Sequence, residues 1–276
     1  MNRYTISDSL GTSAVILPEK GATVISLQKN GAEFLYCNEE NLESSERPRC
    51  GIPFLFPIFG RLKDGIYTWE GKEYAMEIHG FGHTSAWQVA EHSADSLVLV
   101  LEANESTLAQ YPFVFRMTLT FRMREGALTI HQVYENRDSK PMPYNYGFHP
   151  YFLTEKPEDL QVETNADTFL DFTKGATAFG HGTVCITVPE GAPEAGAAFM
   201  GLHSPTVLRH EKDGRTLTME FDTSFHTQVL WTQAGKRFLC VEPVNGSANG
   251  LNTGVYLTLN PGESAESFVS FCPETL

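Results

Sequence analysis

The sequence is poor in basic residues and has no long hydrophobic run. Its 276 residues include 20 lysines and arginines against 34 aspartates and glutamates, a formal net charge of −14 at pH 7. Such a charge repels nucleic acid and anionic membrane surfaces. The longest apolar stretch, residues 52–59, is short and broken by Pro53 and Pro57, and the first residues have no apolar core of signal-peptide length. We therefore expect a cytoplasmic protein with no nucleic-acid partner, no membrane span and a small ligand of little charge.

Cysteine spacing offers no motif either. The five cysteines are scattered, odd in number and free of Cys-x-x-Cys spacing, so the sequence predicts neither a disulfide framework nor a zinc knuckle. We expect reduced thiols. The five residues are Cys37, Cys50, Cys185, Cys240 and Cys272.

Helical periodicity is almost absent, and alternation of apolar and polar residues takes its place. Residues 113–125 put phenylalanine, methionine and leucine on one face and arginine and threonine on the other. Gly126 permits a tight turn into residues 127–136, which alternate again, so the pair predicts a long hairpin. The only helical candidate is a turn or two at residues 106–110, closed by Pro112.

Other turn signals and loops complete the pattern. Asn-Gly, Glu-Gly and Asp-Gly pairs predict three further hairpins. Their strands are residues 23–29 with 32–36, 66–69 with 72–74, and 207–210 with 216–221. Residues 38–49 and 190–204 look like long loops, but neither separates parts of contrasting composition. We predict an all-β protein, a large antiparallel β-sandwich formed by one domain over residues 1–276.

Four segments concentrate titratable groups among glycine, proline and aromatic residues, a composition typical of loops and strand ends that hold a site. They are residues 51–62 (GIPFLFPIFGRL), 79–83 (HGFGH), 144–152 (YNYGFHPYF) and 240–246 (CVEPVNG).

Two residues in these segments are candidates for acid/base chemistry. His149 lies between Phe148 and Pro150. It is either a structural histidine in an aromatic cluster or a general acid/base, since the pKa of imidazole is closest to neutral. Glu242 follows an apolar strand and precedes a proline. It is either a solvated strand end or a carboxylate held at a site.

Three more residues are candidate ligand contacts. His79, followed by glycine, is either a contact or a turn residue. Arg61 is either a donor to hydroxyl groups of a ligand or a surface residue. Trp231 is the tryptophan that we single out as a stacking surface for a ligand ring, although most tryptophans are simply core.

The order and spacing of these segments resemble the aldose 1-epimerase (galactose mutarotase) family, whose fold is a large β-sandwich. FPIFGRL is followed by HGF, then by GFHPYF, then by WTQAGKRFLCVEPVNG and the closing LTLNPGES. The resemblance runs from about residue 16 to 273 and is closer to a bacterial subgroup of uncharacterised epimerase-like proteins.

The resemblance implies a reaction and roles for four residues. His149 would protonate the ring oxygen of a free aldohexose, and Glu242 would take the proton from the anomeric hydroxyl. Arg61 and His79 would hold the substrate, with no metal and no cofactor. The chain departs from the family pattern at three places, which leaves the preferred sugar open. They are Gly60 in place of asparagine, the surroundings of His83 in place of an arginine, and Val229 in place of glutamine.

Three alternatives stay open at this point. A carbohydrate-binding module of the same fold would need no acid/base pair. A metal enzyme could use His79, His83 and His149 with Glu242. A hexose-6-phosphate mutarotase would need several basic groups around a phosphate. The sequence offers for that purpose Arg61 and Lys63, with Arg209, Arg215 and Arg237 as further candidates. We expect a monomer or a weak homodimer.

Overall fold

The structure is a computed structural model that describes residues 1–38, 40, 42, 49–172, 176–178, 182–210 and 212–275. Short α-helices lie among many strands, and those whose bounds are described are α1 at Glu105–Gln110 and α2 at Gly250–Thr253. The strands in chain order are β1 Tyr4–Ser7, β2 Thr12–Leu17, β3 Thr23–Lys29, β4 Ala32–Glu33, β5 Phe54–Leu55, β6 Ile66–Trp69, β7 Lys72–Ala75, β8 Gln88–His92, β9 Ser96–Glu102, β10 Phe115–Arg124, β11 Ala127–Asn136, β12 Met142–Tyr144, β13 Gly147–Phe148, β14 Tyr151–Leu153, β15 Leu160–Asp171, β16 Ala176–Ala178, β17 Gly182–Val184, β18 Glu194–His210, β19 Thr216–Phe221, β20 Thr227–Gln233, β21 Phe238–Val244, β22 Leu257–Leu259 and β23 Ser264–Glu274. Among the residues that the structure describes, no helix is long and apolar enough to cross a membrane.

Most strands belong to one large antiparallel sheet. Its fifteen strands follow the order β5-β13-β21-β20-β18-β19-β23-β11-β10-β9-β8, with β14 paired to β21, and β15 linking β16 and β17 to β18. A second sheet, β1-β2-β3-β4, packs against β10, β11 and β23 of the large sheet. The prediction of an all-β fold with large antiparallel sheets is confirmed.

The predicted hairpins form where local alternation is strong. β10 and β11 pair from Phe115 with Asn136 to Arg124 with Ala127, and the apolar face of β10 is buried throughout. Positive φ angles at Glu125 and Gly126 make the tight turn. The hairpins β6–β7 and β18–β19 also form. Helix α1 begins one residue before the predicted helix, and its capping box joins Asn104 to Thr107.

Two predicted boundaries are wrong. Strand β4 ends at Glu33 rather than at Tyr36. The N–H of Phe34 still donates to the carbonyl of Leu27 at 3.0 Å, but the next N–H, that of Leu35, donates to the Glu33 carboxylate at 2.9 Å. The predicted loop at 190–204 is strand β18 from Glu194 onward, hydrogen-bonded to β15 on one side and β20 on the other. The other predicted loop, 38–49, lies largely outside the described residues.

Gly80 occupies a position where a side chain cannot fit. Its φ is +69°, and a Cβ there would lie 2.3 Å from the carbonyl oxygen of Phe56. The oxygen belongs to the backbone of Phe56 and a Cβ is fixed in place by the backbone of Gly80, so neither atom can turn away. We therefore expect Gly80→Ala to destabilise the protein by about 2–4 kcal/mol. Gly71→Ala is the matched control, with φ +78° and open space around the Cβ position. It should cost about 1 kcal/mol. Urea unfolding of both variants measures the difference, and equal losses would contradict this packing argument.

Candidate active site

The four segments selected from the sequence meet at one cavity of about 340 Å³. All five predicted site residues, His149, Glu242, Arg61, His79 and Trp231, line it. The other lining residues are Arg49, Pro53, Leu55, Phe59, Ile78, His83, Tyr151, Glu194 and Val229.

Aromatic anchors fix the first and third segments beneath this cavity. Phe54 and Phe148 are both fully buried, and their ring centroids lie 5.4 Å apart. Leu55 follows Phe54 in β5 and points to the opposite face, where it lines the cavity. Alternation in short strands therefore sends one residue into the core and its neighbour to the site.

Glu242 lies within strand β21, not at a strand end as the sequence suggested. Strand β21 continues through Pro243 to Val244 because strands on both sides hold it. Val229 of β20 is opposite Glu242, while β13 and β14 pair with the other edge. Only 2% of the Glu242 surface is exposed. A solvated carboxylate is therefore excluded.

His149 is placed by the connection between β13 and β14. Both strands pair with β21, so the short link between them lies over Glu242. The backbone N–H of His149 donates to the carbonyl of Pro53 at 3.0 Å. The imidazole stacks on the Tyr151 ring at 4.8 Å between centroids, and its Nε2 lies 3.3 Å from Oε1 of Glu242. His149 is thus both a member of an aromatic cluster and the partner of a buried carboxylate.

The contact constrains how a sugar can meet this pair. A sugar carbon cannot lie between two groups whose nearest atoms are 3.3 Å apart. A hemiacetal carbon carries its ring oxygen and its hydroxyl oxygen side by side. A pair in contact can therefore meet both oxygens along one edge, with the acid at one and the base at the other.

Burial controls the charge of this pair. Removal from water raises the pKa of Glu242 well above its usual value. A protonated His149 beside the carboxylate would oppose this rise. One proton shared by the pair leaves one acid and one base ready, whichever group carries it.

The raised pKa makes stability depend on pH. Because native Glu242 holds its proton at higher pH than the unfolded chain does, stability falls as pH rises from the usual glutamate range through the raised pKa. Glu242→Gln removes this loss, so we expect the variant to gain stability over the wild type as pH rises from 4 to 8. Melting temperatures across that range measure the gain. Glu220→Gln, at an exposed position of β19, controls for the lost charge. A constant difference for Glu242→Gln would contradict the raised pKa.

His79 occupies a tight turn beside Arg61. Its φ is +66°, and its N–H donates to the carbonyl of Gly60 at 2.8 Å. The Gly60 N–H in turn donates to Nδ1 of His79 at 3.1 Å. A ring nitrogen that accepts carries no proton, so neutral His79 holds its proton on Nε2 as a donor. Gly60 itself has φ +68°, a conformation that favours glycine, and a Cβ there would lie 2.6 Å from Cβ of Ala248.

Trp231 forms part of an aromatic wall. Its ring centroid lies 5.9 Å from that of His149 and 6.5 Å from that of Tyr151, and its Nε1 donates to Oε2 of Glu194 at 3.1 Å. The guanidinium of Arg49 lies 5.8 Å from the Trp231 centroid. Sequence reasoning missed Arg49 and Glu194, because each falls in a stretch taken for a loop.

Most basic residues proposed for phosphate binding lie elsewhere. Neither Lys63, Arg209, Arg215 nor Arg237 lines the cavity. Arg209 is paired with Glu163, Arg215 with Asp213, and Arg237 with Glu155. Among the arginines that the structure describes, Arg61 and Arg49 line the cavity.

The residues that could approach one metal ion differ from those first considered. Residues 79–83 form turns, not a helix, so the spacing of His79 and His83 does not place them on one face of a helix. Among the residues that the structure describes, His149, Cys240 and Glu242 are the group with ligand atoms within 4.8 Å of one another. Burial raises the pKa of the Cys240 thiol well above its usual value. This disfavours the thiolate that a metal requires.

Comparison with known proteins identifies the family. A family model described as aldose 1-epimerase matches residues 2–272. The crystal structure of Slr1438 protein from Synechocystis sp. PCC 6803 is 29% identical, with a TM-score of 0.92 over 100% of this chain and 96% of that one. A galactose mutarotase related enzyme from Lactobacillus acidophilus is 22% identical, with a TM-score of 0.82 over 99% and 98% of the two chains.

A curated relative is similar over most of its length. The uncharacterised protein YphB of Escherichia coli K12 is 22% identical over 251 residues, which are 80% of this chain and 83% of that protein. With its large antiparallel sheets and its match across residues 2–272, the chain belongs to the aldose 1-epimerase family.

Proposed function

We propose that this protein is an aldose 1-epimerase that interconverts the α and β anomers of a free aldohexose. The observation that carries the proposal is the contact between Nε2 of His149 and Oε1 of Glu242, at 3.3 Å, inside a cavity large enough for a hexose. An imidazole and a buried carboxylate in contact form the acid/base unit that ring opening requires.

The reaction moves protons and needs no other reactant. His149 gives a proton to the ring oxygen while Glu242 takes the proton of the anomeric hydroxyl, and the carbon–ring-oxygen bond breaks to give the open aldehyde. After rotation about the bond between the first two carbons, the hydroxyl formed from the ring oxygen attacks the other face of the aldehyde carbon. His149 takes back its proton, and Glu242 returns its proton to the anomeric oxygen. The raised pKa makes Glu242 a stronger base towards the anomeric hydroxyl than an exposed carboxylate would be.

The remaining cavity residues serve binding in this proposal. The Nε2 proton of His79 and the guanidinium of Arg61 donate to hydroxyl or ring oxygens. Trp231 offers an apolar ring face to the sugar. The side chain of Val229, opposite Glu242, lines the cavity and offers no hydrogen bond to a sugar hydroxyl.

Polarimetry tests the proposed reaction. Freshly dissolved α-D-glucose and α-D-galactose should reach anomeric equilibrium faster with the protein than in buffer alone. Sugar binding measured by calorimetry, without such acceleration, would instead favour a carbohydrate-binding protein of the same fold. Metal analysis of the same active sample tests the alternative of a metal enzyme, since stoichiometric zinc or iron would support it.

Two arginines at the cavity keep a hexose 6-phosphate as a second candidate substrate. Arg49 and Arg61 could both approach a phosphate, but the Glu194 carboxylate lines the same cavity and would repel it. We therefore expect a higher kcat/KM for glucose than for glucose 6-phosphate, and the reverse order would favour the phosphate. The cytoplasmic location and the monomer or weak homodimer remain predictions, the latter open to sedimentation analysis.

A further inference from the structure

Two cysteines that no sequence motif connected meet close to the cavity. Sγ of Cys37 lies 2.7 Å from Sγ of Cys50. Cys50 is fully buried, whereas Cys37 is partly exposed. Both pack in a small apolar cluster with Leu17, Ile25 and Leu42. A disulfide bond is about 2.0 Å long. The two sulfur atoms therefore need only a small movement to bond.

Backbone hydrogen bonds fix this approach independently of the side chains. The N–H of Gly51 donates to the carbonyl of Tyr36 at 2.8 Å, and the N–H of Tyr36 donates to the carbonyl of Tyr151 at 2.8 Å. The N–H of Tyr151 donates back to the carbonyl of Gly51, also at 2.8 Å. Cys37 follows Tyr36 and Cys50 precedes Gly51, so this connection places the cysteines opposite each other.

We propose that Cys37 and Cys50 are a thiol pair that forms a reversible disulfide and thereby holds Arg49 at the cavity. The co-reactant is a small disulfide such as oxidised glutathione. The more accessible Cys37 thiolate attacks one glutathione sulfur and releases the first glutathione thiol. The Cys50 thiolate then attacks the Cys37 sulfur and releases the second. The cysteine pair loses two protons and two electrons, and glutathione disulfide is reduced to two thiols.

The consequence for the cavity follows from the position of Arg49, and this step rests on the proposed function. Arg49 directly precedes Cys50, and its Nη1 donates to Oε1 of Gln233 at 2.8 Å beside Trp231. A cross-link at the neighbouring residue restricts the backbone that carries this side chain. Pre-ordering one long side chain lowers KM by about two- to tenfold. The value of kcat stays unchanged because the cross-link contacts neither His149 nor Glu242.

The first measurement does not depend on activity. The whole protein is incubated with oxidised or reduced glutathione, and its thiols are counted after denaturation. We expect the count to fall from five to three, with a linked Cys37–Cys50 peptide that is lighter by two hydrogens in mass spectrometry. Cys37→Ser and Cys50→Ser should abolish that peptide, while Cys185→Ser, at an exposed cysteine, should keep it. Absence of the peptide from the oxidised wild type overturns the proposal.

The second measurement compares the anomerisation kinetics of the oxidised and reduced wild type. A lower KM in the oxidised protein, reversed by dithiothreitol and absent from Cys37→Ser, supports the connection to Arg49. Equal KM values in the presence of the linked peptide overturn that connection. A protein with no anomerisation activity in either state contradicts the proposed function, whereas the peptide result stands by itself.

Discussion

Glu242→Gln is expected to lower kcat for anomerisation by about 10²–10⁴-fold while the protein stays folded. Glutamine has nearly the same shape and can still hydrogen-bond to Nε2 of His149, but its amide cannot accept a proton from the anomeric hydroxyl. Because Glu242 is buried, a carboxylate from the solvent cannot take over its role as base when it is replaced. The rate is measured by polarimetry at high enzyme concentration, where the residual activity stands above spontaneous mutarotation.

The control for Glu242→Gln is Glu220→Gln, an exposed carboxylate of β19 outside the cavity. It changes the net charge equally and should keep the wild-type rate. Circular dichroism and sugar affinity separate a chemical defect from a folding defect. A Glu242→Gln protein with a near wild-type rate would remove the carboxylate from the proposed mechanism.

His149→Ala should lose about 10²–10⁴-fold in kcat as well, and the combined variant should be little worse than either single one. The reason is that Nε2 of His149 and Oε1 of Glu242 form one unit, 3.3 Å apart, that must give and take protons together. Once one residue is missing, one of the two proton transfers is lost, and removing the other residue as well costs little more. Rates of the two single variants and of His149→Ala/Glu242→Gln form a double-mutant cycle that measures this coupling.

A second histidine–glutamate pair provides a matched control for this cycle. His131 Nε2 lies 3.2 Å from Oε2 of Glu266, but the pair is 40% and 66% exposed and lies outside the cavity. His131→Ala, Glu266→Gln and their combination should leave kcat near that of the wild type. If the losses at His149 and Glu242 multiply instead of saturating, the two residues act independently and the proposed unit is wrong.

Local sequence signals predicted some elements better than others, for physical reasons. β10 and β11 alternate large apolar and polar residues around a Gly turn, so the signal of each strand lies within the strand itself. After Glu194, β18 continues with alanine and glycine, whose hydrophobic contrast is weak. Hydrogen bonds to β15 and β20 make this segment a strand. Both partners lie outside the segment, so its own residues do not reveal the pairing. The assignment of residues 1–276 to one domain stays a prediction.

The site shows the same division. The sequence selected His149, Glu242, Arg61, His79 and Trp231, and all five line one cavity. The variants above test the proposed roles of His149 and Glu242, and the roles of Arg61, His79 and Trp231 stay predictions. The sequence could not show that Glu242 lies inside a continuous strand through Pro243, because this depends on pairing with three other strands. Cys37 and Cys50 carried no motif, and only the folded backbone reveals their contact.

By itself, the sequence determined the all-β character of the chain and which polar residues gather near glycine, proline and aromatic rings. Alternation and turn chemistry act over a few residues and can be seen in one segment. Only the tertiary structure decided that His149 touches Glu242 directly and that this carboxylate is removed from water. Contact and burial depend on strands far apart in the chain, and burial raises the pKa of Glu242.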